Sequence, residues 1–169
     1  MLLSLLGCGV KSEPMAPLEP VCGDGPQETK YDRPYPAYEI STKYYKVPIP
    51  QEWADSCAYD ILEMDNGLDI LSLYEVTAYD TFGGGKLCSI QLMPSEDDTY
   101  KDFPDYEWLG ALDTPEGSFN MILLYPTDVQ LTVETMDTYN QMARKLPDVL
   151  CTISPKEGIE MVIPAPVFP

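Results

Sequence analysis

Proline is the residue that most limits what this chain can fold into. It fixes φ and carries no backbone N–H, so it interrupts helices and is confined to turns and strand edges. The 169 residues include 17 prolines, unevenly placed. Pro14, Pro17, Pro20, Pro26, Pro34 and Pro36 crowd the stretch 9–41, among charged and small residues that show no helical or strand period. That pattern predicts an extended, polyproline-like spacer. Pro164, Pro166 and Pro169 mark a loose tail over 164–169. Between these stretches, 42–163 carries the periodicity of one globular domain. The composition, 44% hydrophobic and 22% charged, is that of a chain able to bury a core.

Charge narrows the function classes. Ten Lys and Arg stand against 28 Asp and Glu, a formal net charge of −18. Nucleic-acid binding rests on cationic contacts to phosphate, so no nucleic-acid partner is expected. Docking on anionic lipid by charge is disfavoured for the same reason. The chain has no histidine. This excludes Ser-His-Asp and Cys-His catalysis, His-ligated zinc and His-ligated haem. No apolar run approaches the length that spans a bilayer, so contact with membrane is expected through an anchor only.

Within the domain, 44–50 reads as a strand stopped by Pro48 and Pro50, followed by a turn that buries Trp53. A second strand is expected over 57–63. Asn66-Gly67 is a strong hairpin signal, because both residues tolerate positive φ. The return strand is 68–74, then a short helix or turn over 75–82 and a flexible break at Gly83, Gly84 and Gly85. Over 86–93 the alternation puts Leu87 and Ser89 on one face and Cys88, Ile90 and Leu92 on the other, with Pro94 ending the strand. An acidic loop spans 95–105. Strands follow at 106–112 and 119–125, joined by a turn at Pro115 and Gly117. The second of these is the most apolar run and belongs near the sheet centre.

A helix is predicted over 133–146. Glu134 and Asp137 lie near its start, and Arg144 and Lys145 near its end, as the helix dipole favours. Met136, Tyr139, Ala143 and Leu146 would face the sheet, and Pro147 would break or kink the helix. A last short strand is expected at 159–162. The fold class is α+β: a mainly antiparallel sheet flanked by helices, with a long helix near the C-terminus.

The amino terminus carries a separate signal. Leu5-Leu6-Gly7-Cys8 resembles a bacterial lipobox, in which small or apolar residues precede a Cys. The resemblance implies cleavage before Cys8 and diacylglycerol on its sulfur. Residues 1–8 hold no Lys or Arg and are shorter than a full secretory signal, so the expectation is a truncated signal with an upstream start. The spacer would then hold the domain off the outer face of the cell membrane.

The domain itself resembles the PsbP-like fold. The strand, Pro-x-Pro and Trp turn over 47–53 is similar to the opening of that fold, Leu71-Ser72-Leu73-Tyr74 to a core strand, and 125–130 to its approach to the long helix. The resemblance covers about 43–153 and rests on turns and apolar patterns. The chain is also similar to envelope lipoproteins of Gram-positive gut bacteria. The resemblance implies a binding or assembly role, since that is what members of the fold mostly do, although fold alone does not fix function.

Chemistry-bearing residues are few. Gly83-Gly84-Gly85-Lys86 lacks the outer Gly and the Ser or Thr of a phosphate loop, and a strand follows it. Glu96, Asp97, Asp98, Asp102 and Asp105 lack the order and central Gly of a calcium loop, so a solvated acidic loop is expected and no metal. Tyr100, Phe103, Tyr106 and Trp108 interleave with those acids. Asp97, Asp98, Tyr100, Phe103, Tyr106 and Trp108 therefore form a candidate surface for a ligand, by stacking and hydrogen bonding. The competing reading is that the aromatics are core.

Cys57, Cys88 and Cys151 fall in predicted core elements, either as buried thiols or with two of them paired. Cys22 lies in the spacer. No Cys-x-x-Cys occurs. No cofactor and no catalytic residue is assigned. The expected function is a non-enzymatic, lipid-anchored module binding an envelope protein or ligand. The alternatives are a small carboxylate hydrolase outside the cell or a cytosolic transport or assembly factor.

Overall fold

The structure is a computed structural model that describes residues 38–64 and 68–163. Cys8, Cys22, most of the spacer, the Asn66-Gly67 turn and the tail lie outside the described residues.

In chain order the strands are β1 (Glu39–Ser41), β2 (Tyr45–Pro48), β3 (Cys57–Glu63) and β4 (Asp69–Glu75). The helix α1 (Val76–Phe82) leads to β5 (Lys86–Pro94), β6 (Tyr106–Thr114) and β7 (Gly117–Leu124). The helix α2 (Val133–Leu150) is followed by β8 (Ser154–Pro155) and β9 (Glu160–Val162). The described residues thus form an α+β fold of nine strands and two helices, every strand pair antiparallel. Two sheets form where one was expected: β1-β2-β8, and β3-β4-β5-β7-β6-β9. β1 falls inside the stretch read as spacer, so the folded part takes in residues from Tyr38.

Pairing follows the apolar pattern. Leu71 lies opposite Ile90, and Ile90 opposite Leu123, so one face of the large sheet carries a row of fully buried aliphatic side chains. Met121 and Leu112 extend that face, and α2 packs on it through Met142, Leu146 and Val149. Ile40, Tyr45, Val47 and Trp53 of the small sheet and its following turn join the same core. On the opposite face, Ser72 and Ser89 share a hydroxyl hydrogen bond of 2.8 Å. α1 covers a corner there, packing Tyr79 edge-on to Tyr74. The apolar run in β7 sits inside the sheet, between β5 and β6.

Several expectations are corrected. Leu87 does not share the fate of Ser89. The register shifts between Leu73 and Tyr74, leaving Leu87 as the extra residue, and it packs in the same core as Cys88. α2 runs through Pro147 to Leu150, because Val149 is buried against the core and holds the last turn despite the lost N–H. Arg144 and Lys145 are therefore not at the helix end, and Lys145 instead pairs with Glu52 at 2.5 Å. Met136 is exposed, and the buried face begins at Thr135. β8 and β9 follow the long helix, and β9 is the last short strand expected at 159–162.

Gly83, Gly84 and Gly85 form a close-packed turn rather than a loose break. Gly83 caps α1 at φ 72°, and Gly85 stands at φ 70° where a Cβ would meet Ala78 Cβ at 2.7 Å.

Candidate functional site

The candidate site is a groove at the edge of the large sheet, where α2 ends. β6 supplies Glu107, Trp108 and Leu109 to its wall. The last turn of α2 supplies Pro147, Leu150 and the cap residue Cys151. Met161 and Ile163, on and just beyond β9, line the far side. The groove holds about 430 Å³, and its lining is mostly apolar.

Local sequence explains the opening. Between Trp108 and Gly110 the β6–β7 register shifts, leaving Leu109 as a bulged residue. A Cβ on Gly110 would stand 2.5 Å from the Val162 carbonyl oxygen, so only glycine lets β9 approach here. Among the described residues, β9 pairs with Ala111, Leu112 and Asp113 and no further along β6. The groove is the space left beyond that short strand.

Its polar groups are few. The Tyr125 hydroxyl donates to Glu107 Oε2 at 3.2 Å. Burial pushes the Tyr125 phenol up to about 12, and the Glu107 charge and hydrogen bond add to the shift. The phenol therefore stays a donor at neutral pH. The Trp108 indole N–H donates to Asn120 Oδ1 at 3.0 Å, which fixes the ring against β7. An apolar groove with one carboxylate at its rim suits an apolar group with a cationic neighbour.

The residues singled out in the sequence are only partly brought together. Tyr100 and Tyr106 meet edge to face at 5.4 Å between centroids, and Trp108 lies two residues further along β6. Trp108 alone of that set lines the groove. Phe103 is half-buried and lines a separate hollow of about 310 Å³, with Lys86, Ser89 and Leu124. Asp97 is used locally. It accepts from the Thr99 hydroxyl at 2.7 Å and the Thr99 N–H at 3.0 Å, which hold its carboxyl below the usual range. Asp98 pairs with Lys101 at 3.1 Å. Among the described residues, no three Cys, Asp or Glu side chains converge as a metal site.

The glycine turn borders a further hollow, yet its amides are spent. Gly83 donates to Tyr79, Gly84 to Ala78 and Gly85 to Gln130, which leaves no phosphate cradle. Cys57 and Cys88 are free and buried, and burial pushes both thiols up to about 12. Cys151 is corrected from core to surface: it is free and exposed at the groove.

Leu109, Tyr125, Leu150, Cys151, Met161 and Ile163 were not foreseen as site residues. Gly110 inside a strand was the available signal, since an isolated strand glycine marks a bulge or a close backbone approach. No helix among the described residues is long and apolar enough to cross a membrane. Comparison of the chain with protein-family models, curated proteins and solved structures finds no match.

Proposed function

We propose that this chain is a non-enzymatic binding or assembly module, a PsbP-like domain held at the outer face of the cell membrane by a lipid on Cys8. Its ligand is an envelope protein or envelope component, and it binds in the groove at the end of α2. The observation that carries this reading is the groove itself: about 430 Å³ of mostly apolar space at the edge of the large sheet, beside the end of α2. Its lining offers a single carboxylate, Glu107, where hydrolysis by carboxylates calls for a facing pair. The antiparallel sheet flanked by helices is compatible with the PsbP-like arrangement.

Two measurements test the two halves of the reading. Intact mass of the amino-terminal peptide, from the gene expressed with its upstream region in a Gram-positive host, should show cleavage before Cys8 and added diacylglycerol. An unmodified Cys8 removes the anchor. A photo-crosslinker at Leu150, compared with one at exposed Val133, should label an envelope component from the groove alone. Equal labelling from both positions removes the groove as the site.

A further inference from the structure

The large sheet has an unfinished edge. Tyr125 N–H donates to the Asp105 carbonyl at 3.2 Å, and Tyr106 pairs with Leu124 in the next register step. In an antiparallel ladder, hydrogen-bonded and non-hydrogen-bonded pairs alternate. Asp105 and Glu107 thus turn their main-chain groups toward β7. Tyr106 and Trp108 turn theirs outward. β9 pairs with β6 only from Ala111 to Asp113, and among the described residues no strand lies beside Tyr106 or Trp108.

Among the described residues, β9 does not reach this edge. Past the bulge, Ala111 and Asp113 face β9, so Val162 and Glu160 face back. The next residue of that parity is Pro164, which has no N–H to donate. Among the described residues the β9 pairing reaches Ala111, and the outward N–H and C=O groups of Tyr106 and Trp108 lie beyond it, beside the apolar groove. A row of such groups is a template for a strand from another chain.

Charge selects among the chains that could add. Asp105 and Glu107 flank Tyr106, and neither Lys nor Arg lines the groove. A second copy of this chain would bring another −18. Repulsion of that size disfavours self-pairing.

We propose that the β6 edge at Tyr106 and Trp108 takes an extended segment of a partner protein as an added strand, with an apolar side chain in the groove and basic residues two positions to either side of it, on the same face as Glu107. This rests on the binding reading above and names the chemistry of its partner. The main chain supplies affinity, and the groove and Glu107 supply selectivity.

The test uses the full chain, labelled for amide resonances, and the probe peptide Lys-Thr-Val-Thr-Lys with blocked ends, whose Val and two Lys share one face as a strand. Saturable shifts should centre on the Tyr106 and Trp108 amides. N-methylation at alternate positions of the probe should weaken binding at least tenfold in one parity and little in the other, because a strand offers only one side to the edge. The Glu-Thr-Val-Thr-Glu analogue should bind at least tenfold more weakly. Shifts elsewhere, no saturation, or equal effects of the two methylation patterns overturn the proposal. If groove crosslinking succeeds while the methylation patterns act equally, binding stands and strand addition falls. If the probe behaves as expected but nothing in the envelope is crosslinked, the edge stands and the envelope function falls. Self-association of the chain in place of probe binding would make the occupant a second copy and also overturns the proposal.

Discussion

The two ends of β6 differ although the same sheet and the same core layer run over both. At Leu112 the strand is sealed, lying opposite Phe119 with the small sheet nearby, and Leu112 is fully buried. At Glu107 it is open. The cross-sheet row explains the difference. Leu71, Ile90 and Leu123 stand side by side, each fully buried, and the next position in that row is Glu107. A carboxylate is costly to bury beneath a helix, and Glu107 stays exposed, with the Tyr125 hydroxyl donating to it. The row of aliphatics therefore ends in a groove rather than in more core. One acidic residue in an apolar register position, followed by a bulge, turns a packing layer into a surface.

Cysteine reactivity should separate the two environments most widely. Cys57 and Cys88 lie in the sealed layer, with thiols pushed up to about 12, whereas Cys151 is exposed at the groove. The thiolate is the reactive form, and access is also required. Alkylation of the folded chain near pH 8, followed residue by residue by peptide mass, should modify Cys151 at least about a hundredfold faster than Cys57 or Cys88. Comparable rates would mean that the core layer opens as readily as the groove.

Packing loss comes next. Leu123→Ala empties a fully buried position in the row, and such truncations cost about 2–5 kcal/mol. Leu150→Ala trims a half-exposed groove wall and should cost under about 1 kcal/mol. Urea unfolding of both variants measures the gap. If the two losses are equal, the groove is a filled part of the core.

The contrast between sealed and open positions recurs in the glycine turn. Gly85→Ala forces a Cβ to within 2.7 Å of Ala78 Cβ at a positive φ of 70°. Gly83→Ala meets nothing within 4 Å at a similar φ of 72°. The left-handed conformation alone costs roughly 1–2 kcal/mol in each case. G85A should therefore lose more stability than G83A, the excess being the clash. Equal losses would show that the turn rearranges to accept the methyl group.

Much of this fold was legible because the relevant information is local. The strand expected at 57–63 is β3, and Trp53 is buried as its turn position implied. The apolar run at 119–125 is the inner strand β7, displaced only at its ends. The bulge at Leu87 was not legible. Alternation along one strand tells which residues share a face, but it cannot count how many residues the neighbour sets opposite them. Leu87 was misplaced for that reason. Pro147 misled in the same way, because the buried Val149 that retains the last turn is a tertiary fact. The site suffered most. Its groove depends on where β9 stops and on what α2 does after Pro147, so Trp108 was found and its neighbours in space were not.

The smallest expected effect concerns the closed end of β6. Beside Thr114, the Glu116 carboxylate accepts from Lys43 Nζ at 2.6 Å and from the Tyr44 hydroxyl, clipping the small sheet to the β6–β7 turn. Lys43 is the larger cause holding the Glu116 carboxyl below its ordinary 4.5, and Tyr44 adds to it. A carboxyl depressed in the folded state stabilises the fold above its unfolded pKa, and that stability is lost as pH falls through the folded pKa. The clip should therefore be intact at pH 6 and fade below about pH 4.5. Both partners are about half exposed, so solvent screening keeps the contribution small. Glu52, Asp97 and Glu134 are depressed as well and titrate in the same direction. The difference between the chain and E116Q isolates the clip: the stability loss from pH 6 to pH 3 should be smaller in E116Q, and the peptide-probe affinity at pH 6 unchanged. If E116Q also alters probe binding at Tyr106 and Trp108, the two ends of β6 are coupled, and the sealed end helps to set the open one.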